Sequence, residues 1–109
     1  MNDRFSVKDK VIVVTGASSG IGRYFSIFLA KEGANVILVG RNKERLVDTE
    51  KECQKFSVKT LSVSADVSDL KDINHLVKEC QKNFKQVDVV VNCAGVVSRA
   101  PVSVSYTHL

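Results

Sequence analysis

A run of eight residues, Thr15-Gly16-Ala17-Ser18-Ser19-Gly20-Ile21-Gly22, constrains this chain more than any other segment. It follows the branched apolar block Val11-Ile12-Val13-Val14 and opens into a stretch with helical periodicity. A buried strand, a glycine turn and a helix start, in that order, make a phosphate cradle: the free N–H groups of the first helical turn point outward, and the helix dipole adds partial positive charge. Glycines let the backbone turn tightly, approach a pyrophosphate and pack helix against strand. One glycine would suit an ordinary turn with no ligand. Three, with the hydroxyls of Ser18 and Ser19 between them, point to a nucleotide phosphate. The spacing is G-x3-G-x-G, which differs from the common G-x-G-x-x-G fingerprint.

The pattern around the loop predicts alternating strands and helices. The apolar run 11–15 suits a central parallel strand covered on both faces. In 20–32, Ile21, Phe25, Phe28 and Leu29 fall at i, i+4, i+7 and i+8 and define one helix face, which Gly33 ends. Residues 35–40 (NVILVG) read as a second buried strand. Asn42 caps a second helix that turns Leu46, Val47, Thr49 and Cys53 inward. In 58–66, Leu61, Val63 and Ala65 alternate with polar residues, the mark of a half-exposed strand near a sheet edge. Ser68 is expected to cap a third helix with the core face Leu70, Ile73, Val77, Cys80 and Phe84, while Asp69 and Asp72 favour its dipole. Residues 87–92 (VDVVVN) form a fourth strand. This order predicts an α/β fold, a Rossmann-type parallel sheet with helices on both faces, strand order 3-2-1-4, ending after the fourth strand. A ligand is expected beyond the carboxyl ends of the first and fourth strands, where residues 16–22 and 92–95 meet.

Composition narrows the function classes. At 109 residues with 44% hydrophobic and 26% charged content, the chain suits one globular domain. No apolar run approaches the ~18 residues of a membrane span, and the polar N-terminus is unlike a secretory signal, so a cytoplasmic protein is expected. Cys53, Cys80 and Cys93 are too widely spaced for a zinc site and read as reduced thiols. The net charge of +4 comes from lysines that mostly alternate with acids, as in Lys43-Glu44-Arg45 and Glu50-Lys51-Glu52. Such patterning describes solvated helix faces and no nucleic-acid partner.

Three further positions bear on chemistry. NAD-binding folds place an Asp or Glu at the end of the second strand to hold the ribose 2′-OH. Here Gly40 and Arg41 stand there instead, offering a fixed cation and no repelling carboxylate to a 2′-phosphate. The expected cofactor is therefore NADP(H), with NAD(H) second. Asp66-Val67 ends the third strand, where a carboxylate either accepts from an adenine amino group or caps the next helix. Asn92-Cys93-Ala94-Gly95 follows the fourth strand with small residues that let the chain pass close to a flat ligand. Alone, this last motif is no stronger than an ordinary turn.

Together these motifs resemble the short-chain dehydrogenase/reductase family over residues 7–102. The family's TGxxxGxG is matched by Thr15, Gly16, Gly20 and Gly22, its NNAG by Asn92, Ala94 and Gly95 with Cys93 in place of the second Asn, and its Asp-Val by Asp66-Val67. Arg41 is similar to the basic residue of NADP-preferring members. The resemblance implies a cofactor site of Thr15, Gly16, Ser18, Ser19, Gly20, Ile21, Gly22, Arg41, Asp66, Val67, Asn92, Ala94 and Gly95. It also implies hydride transfer between a ketone and a secondary alcohol, with a small carbonyl or alcohol substrate such as a 3-oxoacyl thioester, a steroid or a sugar. A homo-oligomer is implied for the full-length protein only. The alternative is a Rossmann domain that senses a nucleotide without chemistry.

The family's Ser–Tyr–Lys chemistry, which the resemblance places well beyond NNAG, finds no match. Tyr106 lies too close to Gly95, Tyr24 is in the first helix, His75 is mid-helix, and His108 is at the tail. No catalytic residue is assigned, and this stretch alone is expected to be inactive. Residues 103–109 show no helix pattern and read like an out-of-frame end. The expected division is 1–102 as the N-terminal half of an NAD(P)-binding domain and 103–109 as an atypical tail marking a truncated product. An uncovered apolar edge at Val89, Val90, Val91, Val96 and Val97 is expected to leave 1–109 poorly soluble.

Overall fold

The structure, a computed structural model, describes residues 6–93. Four parallel strands, β1 (Val11–Thr15), β2 (Asn35–Gly40), β3 (Thr60–Ser64) and β4 (Val89–Asn92), alternate with α1 (Gly20–Lys31), α2 (Lys43–Gln54) and α3 (Leu70–Asn83). The sheet order is β3-β2-β1-β4, as the sequence predicts. Register runs Val11 to Asn35, Val36 to Thr60, and Ile12 to Val89, so the carboxyl ends of Thr15, Val39 and Asn92 align in one row.

Strand alternation divides the core. Ile12, Val14, Val36, Leu38 and Val91 face one side with Leu29 and Ala30 of α1 and Leu46 and Cys53 of α2. Val13, Ile37, Val39 and Val63 face the other, with Cys80 of α3. Parallel crossovers require this split: the chain moves outward across the sheet from β1 to β3, then reverses to reach β4, so its last crossover lies on the opposite face. The reversal makes the junction of β1 and β4 the topological switch point of the sheet.

In α2 the predicted inward residues Leu46, Thr49 and Cys53 are buried, whereas the faces of α1 and α3 differ from the predicted ones. In α1 the buried residues are Gly22, Ser26, Leu29 and Ala30, which repeat the predicted i, i+4, i+7, i+8 spacing displaced by one position. Ile21 is 72% exposed, and Phe28 is exposed but stacks on Phe25 with ring centroids 6.3 Å apart. Close approach of α1 to the glycine loop needs a glycine at position 22; Leu29 is buried, Phe25 packs partly against the core, and Ile21 is turned aside. In α3 only Cys80 is fully buried, Leu76 and Phe84 pack partly against the core, and Leu70 is 72% exposed. The cap of α3 is Asp69, whose carboxylate accepts from the Lys71 N–H at 2.8 Å, rather than Ser68. The Asn42 cap of α2 is as expected, accepting from the Arg45 N–H at 3.1 Å. Strands β3 and β4 are shorter than predicted. At β4, Val91 is buried and Val89 and Val90 are half-buried; Val96, Val97 and the tail 103–109 lie outside the described residues.

Candidate functional site

The glycine loop leaves β1 at Thr15, whose buried hydroxyl donates to the Asn92 side-chain carbonyl at 2.8 Å, while its backbone carbonyl accepts from the Cys93 N–H at 3.1 Å. These bonds bring the ends of β1 and β4 together. Gly16 and Gly20 take the left-handed φ values of 68° and 56° that other residues rarely adopt. Gly22 serves close approach: a Cβ there would lie 1.9 Å from the Gly16 carbonyl oxygen, so loop and helix could not pack as they do. Between them, Ala17 is buried and donates its N–H to the Val39 carbonyl at 3.0 Å.

The start of α1 differs from the other two helix starts. Ser19 at its N-cap makes no side-chain capping bond, and its first turn carries no acid. Asn42 and Asp69 cap α2 and α3 with their own side chains, and Glu44 and Asp72 occupy those first turns. The first-turn N–H groups of α1 are thus left without the side-chain oxygen that such groups normally find.

Beside this turn, Gly16, Ser18, Val39, Gly40, Arg41, Asn42, Ala65 and Val67 line a cleft of about 220 Å³ at the carboxyl ends of β1, β2 and β3. Ser18 reaches across to the tip of β2; a Cβ on Gly40 would lie 3.2 Å from its hydroxyl oxygen. The exposed Arg41 side chain makes no hydrogen bond or ion pair among the described residues, although its backbone carbonyl accepts from the Ser64 hydroxyl at 3.2 Å. Asp66 stands at the cleft's edge. Its Oδ1 accepts from the Ser68 hydroxyl at 2.6 Å and the Ser68 N–H at 2.9 Å, and these bonds, with the Arg41 charge adding to them, hold the carboxyl below its ordinary pKa. Asp66 therefore does not cap the next helix, the alternative that the sequence left open: Asp69 does so, while Asp66 closes a turn onto Ser68, and no hydrogen bond among the described residues falls on Oδ2. The structure brings Gly16, Ser18, Arg41 and Val67 to one cleft, with Asp66 beside it and Thr15 and Asn92 joined at the carboxyl ends of β1 and β4. Ser19, Gly20 and Ile21 stand exposed at the helix start. Ala94 and Gly95 lie outside the described residues.

One group near the loop was not singled out by its sequence motif. Thr49 of α2 is fully buried, and its Oγ1 lies 3.1 Å from both the Ala17 and Arg45 carbonyl oxygens. It accepts from Arg23 Nη1 at 3.1 Å, and Arg23 also pairs with Asp48 at 3.3 Å. A hydroxyl on an otherwise apolar inward face was the available signal, because buried polar groups need partners.

Residues 10–107 match the family model for short chain dehydrogenases. Uncharacterized oxidoreductases of Staphylococcus aureus and Staphylococcus epidermidis are 45% and 44% identical over 87 and 89 residues, 80% and 82% of this chain and 37% of each relative. The fold superposes on L-sorbose reductase from Gluconobacter frateurii complexed with NADPH and L-sorbose with a TM-score of 0.78 and 36% identity, over 87% of this chain and 36% of that one. An NAD+-bound xylitol dehydrogenase gives a TM-score of 0.73 at 28% identity, over 77% and 32%. The parallel sheet and glycine turn define a Rossmann-type fold. Within that class the chain belongs to the short-chain dehydrogenase family, and it spans a little over a third of the length of the curated relatives it matches. Among the described residues no helix is long and apolar enough to cross a membrane, and no cluster of His, Cys, Asp or Glu could hold a metal ion.

Proposed function

We propose that this chain is the coenzyme-binding portion of an NADP(H)-dependent short-chain oxidoreductase that interconverts a ketone and a secondary alcohol. The observation that carries this reading is an uncapped, acid-free helix start following the Gly16–Ser18 edge of a cleft that Arg41 also lines, with no side-chain partner for Arg41 among the described residues. The residues fit the coenzyme. Gly16, Ser18, Ser19, Gly20, Ile21 and Gly22 would hold the pyrophosphate against the first turn of α1. Arg41 would take the 2′-phosphate, with the adenosine between Gly40 and Asp66-Val67 and with Thr15, Asn92, Ala94 and Gly95 beneath the nicotinamide half. The bound coenzyme supplies the hydride.

What this chain's residues contribute is orientation. The α1 dipole and loop N–H groups neutralise phosphate charge, Arg41 selects for the 2′-phosphate by a charge-assisted pair, and the Thr15–Asn92 bond holds the ends of β1 and β4 together. The unit we assign to this task is 1–102, with 103–109 outside it. Among 3-oxoacyl thioesters, steroids and sugars, sugars are the class to test first, because L-sorbose reductase and xylitol dehydrogenase are both structural neighbours.

Fluorescence titration of the chain with NADPH and NADH tests the reading. Tighter binding of NADPH is expected. Binding of neither coenzyme, or equal binding of both, overturns it in whole or in its cofactor preference. For the complete protein, coenzyme binding without carbonyl reduction across these substrate classes would favour nucleotide sensing.

A further inference from the structure

Ala17 sits at the centre of the glycine loop, and its backbone groups are both engaged by β2 and α2. Its N–H donates to Val39 at 3.0 Å, one residue before Gly40 and two before Arg41. Its carbonyl faces the Thr49 hydroxyl at 3.1 Å. Thr49 is fully buried, and its oxygen lies equally close to the Arg45 carbonyl four residues back on α2. That second acceptor is the usual fallback for a helical threonine; the first is a contact between separate elements. Arg23 in the first turns of α1 donates to the same oxygen at 3.1 Å and is held by Asp48 at 3.3 Å. The Arg23 N–H in turn bonds the Ser19 carbonyl at 3.3 Å. A single hydroxyl therefore joins the glycine loop, the start of α1 and the helix that follows Arg41.

We infer that Thr49 is a positioning residue for coenzyme binding: through Ala17 and Arg23 it sets where the glycine loop stands relative to Arg41, without touching the coenzyme. The inference rests on the NADP(H) reading above. Loop and Arg41 would grip opposite ends of the adenosine half, one at the pyrophosphate and one at the 2′-phosphate, so their spacing decides whether both grips close at once. Removing the hydroxyl leaves the Ala17 carbonyl without this partner in a buried place, and a loop that shifts to find another loses register with Arg41.

The test measures NADPH affinity by fluorescence titration in the chain and three variants, each checked for folding by circular dichroism. Thr49→Val keeps the side-chain volume and deletes the hydroxyl; NADPH binding is expected to weaken about ten-fold, the scale of one lost buried hydrogen bond. Thr49→Ser keeps the hydroxyl, and binding within about two-fold of the parent is expected. A purely packing role for Thr49 would not be rescued by serine. A folded Thr49→Val that binds like the parent, or a Thr49→Ser as weak as Thr49→Val, overturns the inference. If Thr49→Val does not fold, Arg23→Met decides. It removes the donor to Thr49 from a partly exposed site, and a rise in Kd of three-fold or more supports the inference while an unchanged Kd overturns it. A folded parent that binds neither NADPH nor NADH removes the functional reading and this inference with it, whereas a binding parent with indifferent variants removes only the inference.

Discussion

Thr15 and Asn92, 77 residues apart, close the top of the sheet with one hydrogen bond: the Thr15 hydroxyl donates to the Asn92 amide oxygen at 2.8 Å. Both are the last residues of their strands, and they pair directly in the β1–β4 register. The bond links the glycine loop's point of departure to the chain leaving β4. Thr15→Val keeps the shape and deletes the donor. A loss of about 1 kcal/mol is expected, the net worth of such a bond. In thermal denaturation this is a drop of roughly 4–8 °C for a domain of this size; an unchanged melt would show that the bond adds no net stability.

Arg41 is the residue on which coenzyme preference turns. Arg41→Asp replaces a cation free of ion pairs among the described residues by a carboxylate beside Asp66. NADPH binding is expected to weaken relative to NADH by about 1–3 kcal/mol, the range for bonds to charged groups. Paired titrations of both coenzymes give the ratio, and a constant ratio would remove Arg41 from 2′-phosphate recognition.

Gly22→Ala places a methyl 1.9 Å from the Gly16 carbonyl oxygen, against backbone that cannot swing away. Loop and helix must separate, at a cost of about 1–3 kcal/mol or more. Urea denaturation is expected to show a lower midpoint, with coenzyme affinity reduced in what remains folded. Gly20→Ala makes the comparison, because there the added methyl meets open space and only the positive φ opposes it.

Ser68 holds the Asp66 carboxyl below its ordinary pKa through its hydroxyl and its N–H, with the Arg41 charge assisting. A folded-state pKa below the unfolded one gives stability that is present above the unfolded value and is lost as pH falls through the folded one. In an NMR titration of the side-chain carboxyl, Ser68→Ala is expected to move the Asp66 midpoint upward. An unmoved midpoint would assign the depression to the Ser68 N–H and the Arg41 charge instead.

Burial, with Glu50 adding to it, pushes the Cys53 thiol from 9.0 up to about 11. The folded state keeps this proton where the unfolded state releases it, so this contribution to stability is intact below pH 9 and falls away as pH rises through 11. Denaturant melts at pH 8 and pH 10.5 are expected to differ more in the parent than in Cys53→Ala. An equal difference in both would place the alkaline sensitivity elsewhere.

Much of the architecture was legible because parallel strands covered on both faces must be continuously apolar, and 11–15 and 35–40 are. Strand order followed from the sequence of crossovers and the position of the glycine turn. Helix orientation was less legible, for a reason that α1 makes plain. Ile21, Phe25, Phe28 and Leu29 have a perfect spacing for a buried face, but Gly22, Ser26, Leu29 and Ala30 have the same spacing one step around the helix. Hydrophobicity favours the first set, whereas the close approach of loop and helix at Gly22 turns the second inward, with Leu29 common to both and Phe25 packing at the margin. At α3, Ser68 and Asp69 are both good caps, and Ser68 is diverted by its bonds to Asp66. In the candidate site, residues marked by type and spacing (the glycines, Arg41, Asp66) could be picked out. Thr49 was placed inward correctly, but its role was not legible, because that depends on which carbonyl a buried hydroxyl meets 32 residues away.

The two-sided anchoring of Ala17 has a thermodynamic consequence. Fixing one residue's backbone costs about 1–2 kcal/mol in conformational entropy, and a loop that is loose before capture must meet that cost out of its ligand contacts. Here the N–H to Val39 and the carbonyl to Thr49 are satisfied within the fold itself, so the ordering of Ala17 is completed when the sheet and helices assemble. At Ala17, capture of a ligand should therefore add no folding-on-binding component to the heat-capacity change of surface burial.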